Sequence, residues 1–146
     1  MSIANDFALG LTARIQQIRQ INGFETDIGA HVFRGRRVPD EDKLPCAIVV
    51  EGEDRPADEQ RGRVKIEARY QIEGHCQCDP DNPNDVANAM VADIKRAVFS
   101  GDPTFGKIIR DLRYGGRTIN PREDGLSFVS ASVEIVVTWA ETLSAP

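Results

Sequence analysis

Residues 64–73 read VKIEARYQIE. Val64, Ile66, Ala68, Tyr70 and Ile72 alternate without interruption with Lys65, Glu67, Arg69, Gln71 and Glu73. That period of two belongs to a strand with one face in a core and the other in water. A sheet wetted on one face is characteristically antiparallel, so a partner strand is sought next to it. CAIVVE, residues 46–51, is a continuous apolar run of strand length and reads as a central strand covered on both faces. GEDRPADEQRG, residues 52–62, lies between them with a proline and a closing glycine, and reads as a charged loop. Together the two runs predict a long antiparallel hairpin with a charged tip.

The flanking segments extend this pattern in both directions. Ile3, Phe7, Leu11, Ile15 and Ile18 line one stripe of an amphipathic helix expected to end at Asn22-Gly23. IGAHVFR, residues 28–34, suits a short strand, and RGRRVPDEDKLP, residues 34–45, carries too many charges to be buried and reads as an exposed loop. NPNDVANAMVADIKRAVFSGD, residues 82–102, predicts a second helix capped by Asn84 or Asp85, with Val86, Met90, Val91 or Ile94, and Val98 buried. KIIRDLRY (107–114) reads as a strand, GGR (115–117) as a turn and PREDG (121–125) as a loop. From 128 to 141 a last strand alternates Val129, Ala131, Val133, Ile135, Val137 and Trp139 against Ser130, Ser132, Glu134 and Thr138. Strands outnumber helices and are mostly joined by turns. The expected fold class is α+β: one domain over residues 1–146, a largely antiparallel, mixed sheet with a long charged hairpin, packed by an N-terminal and a central α-helix.

Composition bounds the function. The 146 residues carry 18 basic and 23 acidic side chains, a formal net charge of −5. A free-standing nucleic-acid binder needs a basic surplus, which this chain lacks. No apolar run approaches the roughly 20 residues of a membrane span, and MSIANDFALG has neither the basic nor the apolar region of a signal peptide. Three cysteines, an odd number, point to a reducing, cytoplasmic setting.

EGHCQCDPDNPND, residues 73–85, concentrates His75, Cys76, Cys78 and several acids. Alternation continued past Ile72 sends His75 and Cys76 to opposite faces, so the two cannot grip one ion without a bulge. C-x-C supplies two of the four ligands a structural zinc needs. Asp79, Asp81 and Asp85 lack the calcium-loop pattern, and turn chemistry accounts for DPDNPND. No cofactor or metal is expected. G-x-S-x-G, P-loop, G-x-G-x-x-G and H-E-x-x-H signatures are absent, His31 and His75 are the only histidines, and no catalytic residue is expected.

An N-terminal amphipathic helix ending at INGFETDIG, then HVFRG, LPCAIVVEGED, VKIEARYQIEG, the helix DVANAMVADIKRAVF and a final SASVEIVVTWAE together resemble the tail terminator (tail completion, head–tail joining) proteins of long-tailed bacteriophages. The resemblance covers nearly the whole chain. It implies a virion structural protein of the tail or neck, assembled in the host cytoplasm. Copies would form a homo-oligomeric ring, commonly hexameric, on the head-proximal end of the tail tube, ending tube polymerisation and presenting a surface to the head-side connector. DNA would pass through the lumen without specific binding, helped by an acidic balance. Such a ring needs a heterologous interface hiding about 800 Å² per partner. The sheet edges and the two charged loops are the expected material, the loops supplying Arg34, Arg36 and Arg37 near Asp40 and Glu41, and Asp54, Asp58 and Glu59 beside Arg55 and Arg61. Another neck or minor tail protein is the alternative within this class. A small cytosolic metal- or ligand-binding module around Cys46, His75, Cys76 and Cys78 is the alternative from a different one.

Overall fold

The computed structural model describes residues 2–35, 38, 39, 41–122 and 124–146. Two helices, α1 (Ile3–Ile15) and α2 (Pro83–Phe99), and five strands, β1 (Val32–Arg34), β2 (Cys46–Gln60), β3 (Arg63–Gln77), β4 (Asp111–Ile119) and β5 (Phe128–Thr142), make up the fold. The strands form one sheet in the order β1-β2-β3-β5-β4. Only β1 and β2 run parallel; every other neighbour is antiparallel. The fold is α+β.

The alternation in β3 has the consequence expected of it. Val64, Ile66, Ala68, Tyr70 and Ile72 are buried on the face that also carries Val129, Ala131, Val133, Ile135, Val137 and Trp139 of β5. Both helices pack on this face. From α1 come Phe7, Ala8, Leu11 and Ile15, and from α2 Ala87, Met90, Ile94 and Val98. Ser2 caps α1, its hydroxyl accepting the Asn5 N–H at 3.1 Å. Asn82, rather than Asn84 or Asp85, occupies the cap position of α2, with Pro83 in the first turn, where a missing N–H costs nothing. Gly74 lets α2 lie close: a Cβ there would stand 2.9 Å from Met90 Sδ.

Five boundaries differ from the sequence reading. α1 ends at Ile15, and Gln20–Asn22 forms a separate 3₁₀ turn closed by left-handed Gly23. The break comes from a backbone-to-backbone contact: Gly29 donates to the Ile18 carbonyl at 2.9 Å, and a Cβ on it would lie 2.5 Å from the Ile15 carbonyl oxygen. Ile18 stays buried in spite of leaving the helix. Ile28–Ala30 is likewise a 3₁₀ turn, and only Val32–Arg34 is strand. Residues 52–60, expected as loop, continue β2, so the hairpin turn is just Arg61-Gly62 with φ of 52° and 78°. Two consecutive left-handed residues match the twist of a tight hairpin.

β4 starts at Asp111 instead of Lys107, because Phe105, Gly106 and Lys107 all have positive φ. Asp102 holds this left-handed stretch, accepting from Thr104 N–H (2.9 Å), Thr104 Oγ1 (2.7 Å) and Gly106 N–H (2.9 Å). Those bonds keep its carboxyl below the usual carboxylate range. The Phe105 ring is pinned between Phe7, 4.8 Å away edge-on, and the Arg14 guanidinium at 3.5 Å. Gly115-Gly116, expected as a turn, stays inside β4 as a bulge between Tyr114 and Gly116. The Glu134 side chain fills the space that a Cβ on Gly115 would need, at 3.0 Å.

One buried acid fastens the long α1–β1 connection. Asp93 of α2, 2% exposed, accepts from Glu25 N–H (3.1 Å), Thr26 N–H (2.7 Å) and Thr26 Oγ1 (2.6 Å). Among the described residues no helix is long and apolar enough to cross a membrane. Replacing Asp93 by alanine strands the Thr26 donors and should cost about 3 kcal/mol, read as a lower urea midpoint with the slope retained. An unchanged midpoint would remove Asp93 from the account of how this connection is held.

Candidate assembly interface

Residues expected at contacts fall in three places. Arg34 ends β1, and its guanidinium donates to Glu51 Oε1 at 2.6 Å and lies 3.4 Å from Asn5 Oδ1, so it ties β1 to β2 and α1. Glu41 opens an exposed 3₁₀ turn, Glu41–Lys43. Arg36, Arg37 and Asp40 lie outside the described residues. The second group does not sit on a loop. Asp54, Arg55, Asp58 and Glu59 stand on the distal half of β2, and Arg61 is the first residue of the hairpin turn.

That distal half is an open sheet edge. β1 pairs only with Ala47, Ile48 and Val49, and from Glu51 to Gln60 every β2 residue is exposed. Among the described residues no strand covers the outer side of this stretch. Pro56 sits in it, as an edge strand permits, and the pairing with β3 shifts between Glu51 and Asp54 and again between Pro56 and Asp58. β4 is the opposite edge, exposed along most of its length.

Between the edges, the sheet face turned away from the helices carries polar cross-strand pairs. Arg69 meets Glu134 at 3.1 Å, Arg113 meets Glu67 at 3.2 Å and Asp111 at 3.4 Å, and Gln71 donates to Ser132 at 3.0 Å. Ion pairs this exposed contribute about 0–1 kcal/mol each, so they decorate the face more than they hold the fold. The bulges at Gly52 and Gly115-Gly116 flank a shallow depression of about 400 Å³ floored by Arg69, Gln71 and Ser132.

The cysteine-rich corner resolves by register. His75 stands opposite Cys46 and contacts Glu73 at 3.1 Å, whereas Cys76 and Cys78 pack against the hydrophobic core on the other side. Burial first, then neighbouring Cys78, pushes the Cys76 thiol up, away from the thiolate needed for metal binding or nucleophilic attack. Among the described residues no three His, Cys, Asp or Glu side chains converge as metal ligands.

Compared with models of known protein families and with curated proteins, the chain matches none.

Sequence reasoning missed the β4 side. Arg110, Arg113 and Arg117 were split between an expected strand and an expected turn, yet they flank or occupy one edge. The signal available was a double glycine within an alternating stretch, which marks a bulge as readily as a turn.

Tyr70 lies beneath the open β2 edge, 5% exposed, with the Phe7 ring 4.9 Å away. Burial, then the Glu51 carboxylate, pushes its pKa from 10.0 up to about 12, with Asp54 adding and Arg34 opposing. A folded value above the unfolded one means that Tyr70 contributes full stability below pH 10 and loses it as pH climbs toward 12. In a Tyr114→Phe variant Tyr70 is the one remaining tyrosine. Its tyrosinate absorbance should rise with a midpoint near 12, and stability to denaturant should fall between pH 10 and 12. A midpoint at the ordinary value would mean that the β2 edge does not shield the ring.

Proposed function

We propose that this chain is a structural protein of a long-tailed phage virion: copies form a closed ring on the head-proximal end of the tail tube, stop tube growth and present a surface for head–tail joining. It works by shape rather than by catalysis. The observation that carries the reading is the pair of open edges, the distal half of β2 and β4, on opposite sides of one sheet with both α-helices packed on one face. Two different edges on one molecule make a heterologous contact, which closes into a ring when successive rotations add to a full turn. The layout of segments that resembles tail terminators supports the station at the tube end, and the six-fold count belongs to that resemblance. The formal net charge of −5 supports a lumen that DNA traverses without adhering. Assembly takes place in the host cytoplasm, and the partners are the tube protein below and the neck connector above.

Added to purified tail tubes of the phage that carries it, the protein should cap one end with a ring visible by negative-stain electron microscopy and should halt further elongation. Tubes that keep growing with bare ends would overturn the assignment to the tube terminus. Rings that bind only the head-side connector would move the protein to a neighbouring position in the neck.

A further inference from the structure

The two open edges carry opposite charge. Glu51–Gln60 holds five acids, Glu51, Glu53, Asp54, Asp58 and Glu59, against one arginine, Arg55. Arg110–Ile119 holds three arginines, Arg110, Arg113 and Arg117, against one acid, Asp111. Among the described residues Asp54, Asp58 and Glu59 make no ion pair, so their charges are available to a partner.

The edges overlap in height over a few rows, Glu51–Arg55 standing level with Asp111–Tyr114. Rows of paired residues cross the sheet from Asp54 through Ala68 and Val137 to Leu112, and from Arg55 through Glu67 and Thr138 to Asp111. Strand direction alternates along β2, β3, β5 and β4. A copy rotated about an axis parallel to the strands therefore brings its β2 antiparallel to β4, overlapping it over those rows and with its helices on the same side. In that arrangement Arg55 comes level with Asp111, and Asp58 and Glu59 lie toward Arg110, whereas Arg117 comes level with Val49, which Arg34 of β1 covers, and stays outside the contact.

We propose that the acidic outer edge of β2 docks against the basic outer edge of β4 on the next copy of this chain, and that this pairing is the subunit contact. The proposal rests on the ring reading given above and adds which surfaces meet. Pro56 and the irregularities on either side of it interrupt any backbone ladder, so side-chain charge, not a continuous run of strand hydrogen bonds, selects the partner. An apolar component stands beside the basic edge. Phe99 and Tyr114, 37% and 46% exposed, meet edge-on at 6.3 Å with Lys95 4.6 Å over the tyrosine ring. Asp54 and Pro56 pair with Ala68 and Ile66, which places them on the helix side of their edge, the same side as this aromatic pair.

A charge exchange tests the pairing. One variant carries Asp54→Lys, Asp58→Lys and Glu59→Lys, making both of its edges basic. The other carries Arg110→Glu and Arg113→Glu, making both acidic where they overlap. Circular dichroism establishes that each is folded, and sedimentation velocity with native mass spectrometry reads assembly. Wild-type protein should form rings whose apparent dissociation constant rises at least about tenfold as salt goes from about 0.1 to about 1 M, where the screening length falls from about 10 to about 3 Å. Neither folded variant should assemble alone, and an equimolar mixture should restore rings with the two alternating. Variants that assemble separately like wild type, or a mixture that stays dissociated while wild type assembles, would overturn the edge pairing and leave the ring reading standing. Wild-type protein that remains monomeric at every concentration, with and without tail tubes, would overturn both.

Discussion

Everything in this molecule is arranged around β3, which is paired along its length by β5 on one side and by β2 on the other. Its register cannot slip by a single residue, because that would exchange Val64, Ile66, Ala68, Tyr70 and Ile72 with Lys65, Glu67, Arg69, Gln71 and Glu73. Five charged or polar side chains would then be driven under the helices and five apolar ones into water. Burying even one ion without a partner costs several kcal/mol, so the alternation excludes every slip by an odd number of residues by a wide margin. Once β3 is placed, β5 and β2 follow, and the rows that run across the sheet determine how high each edge stands.

Asymmetry between the two faces follows from the same constraint. α1 and α2 cover the apolar face, and the aromatic contacts of Phe7 with Tyr70 and Phe105 join α1, the sheet and the α2–β4 connection. Arg14 fastens that connection from the side, donating to the Val98 carbonyl at 2.8 Å and to the Asp102 carbonyl. The opposite face carries no helix: Cys46 and Ile48 are buried at its β2 end, and along β3, β4 and β5 its polar side chains pair with one another. A single helix layer leaves both ends of the sheet unobstructed. Open edges are a hazard for a protein that works alone, and charge, proline and bulges are the usual protections. Here the protections differ in sign from one edge to the other. The features that discourage pairing of like edges therefore favour pairing of unlike ones.

The sequence by itself determined the strand alternation of 64–73 and 128–141, the two amphipathic helices, the α+β class and the opposed directions of His75 and Cys76, since each depends on local periodicity alone. It could not show that 52–60 is strand, because a charged, proline-bearing segment looks the same in a loop and on an exposed edge; pairing with β3 decided it. Nor could it show that Gly115-Gly116 is a bulge, which depends on Glu134 occupying the space beside it, or that α1 stops at Ile15, which depends on Gly29 approaching from fourteen residues further along the chain. Nothing in the local pattern of α2 marks Asp93 as a buried acceptor; the fold brings Thr26 against it. The opposed charges at the two edges are separated by about fifty residues in sequence and by the width of the sheet in space. Only the strand order β1-β2-β3-β5-β4, which inserts the last strand between β3 and β4, turns them into opposite rims of one surface, because hydrogen-bonded neighbours are chosen by long-range packing rather than by proximity along the chain.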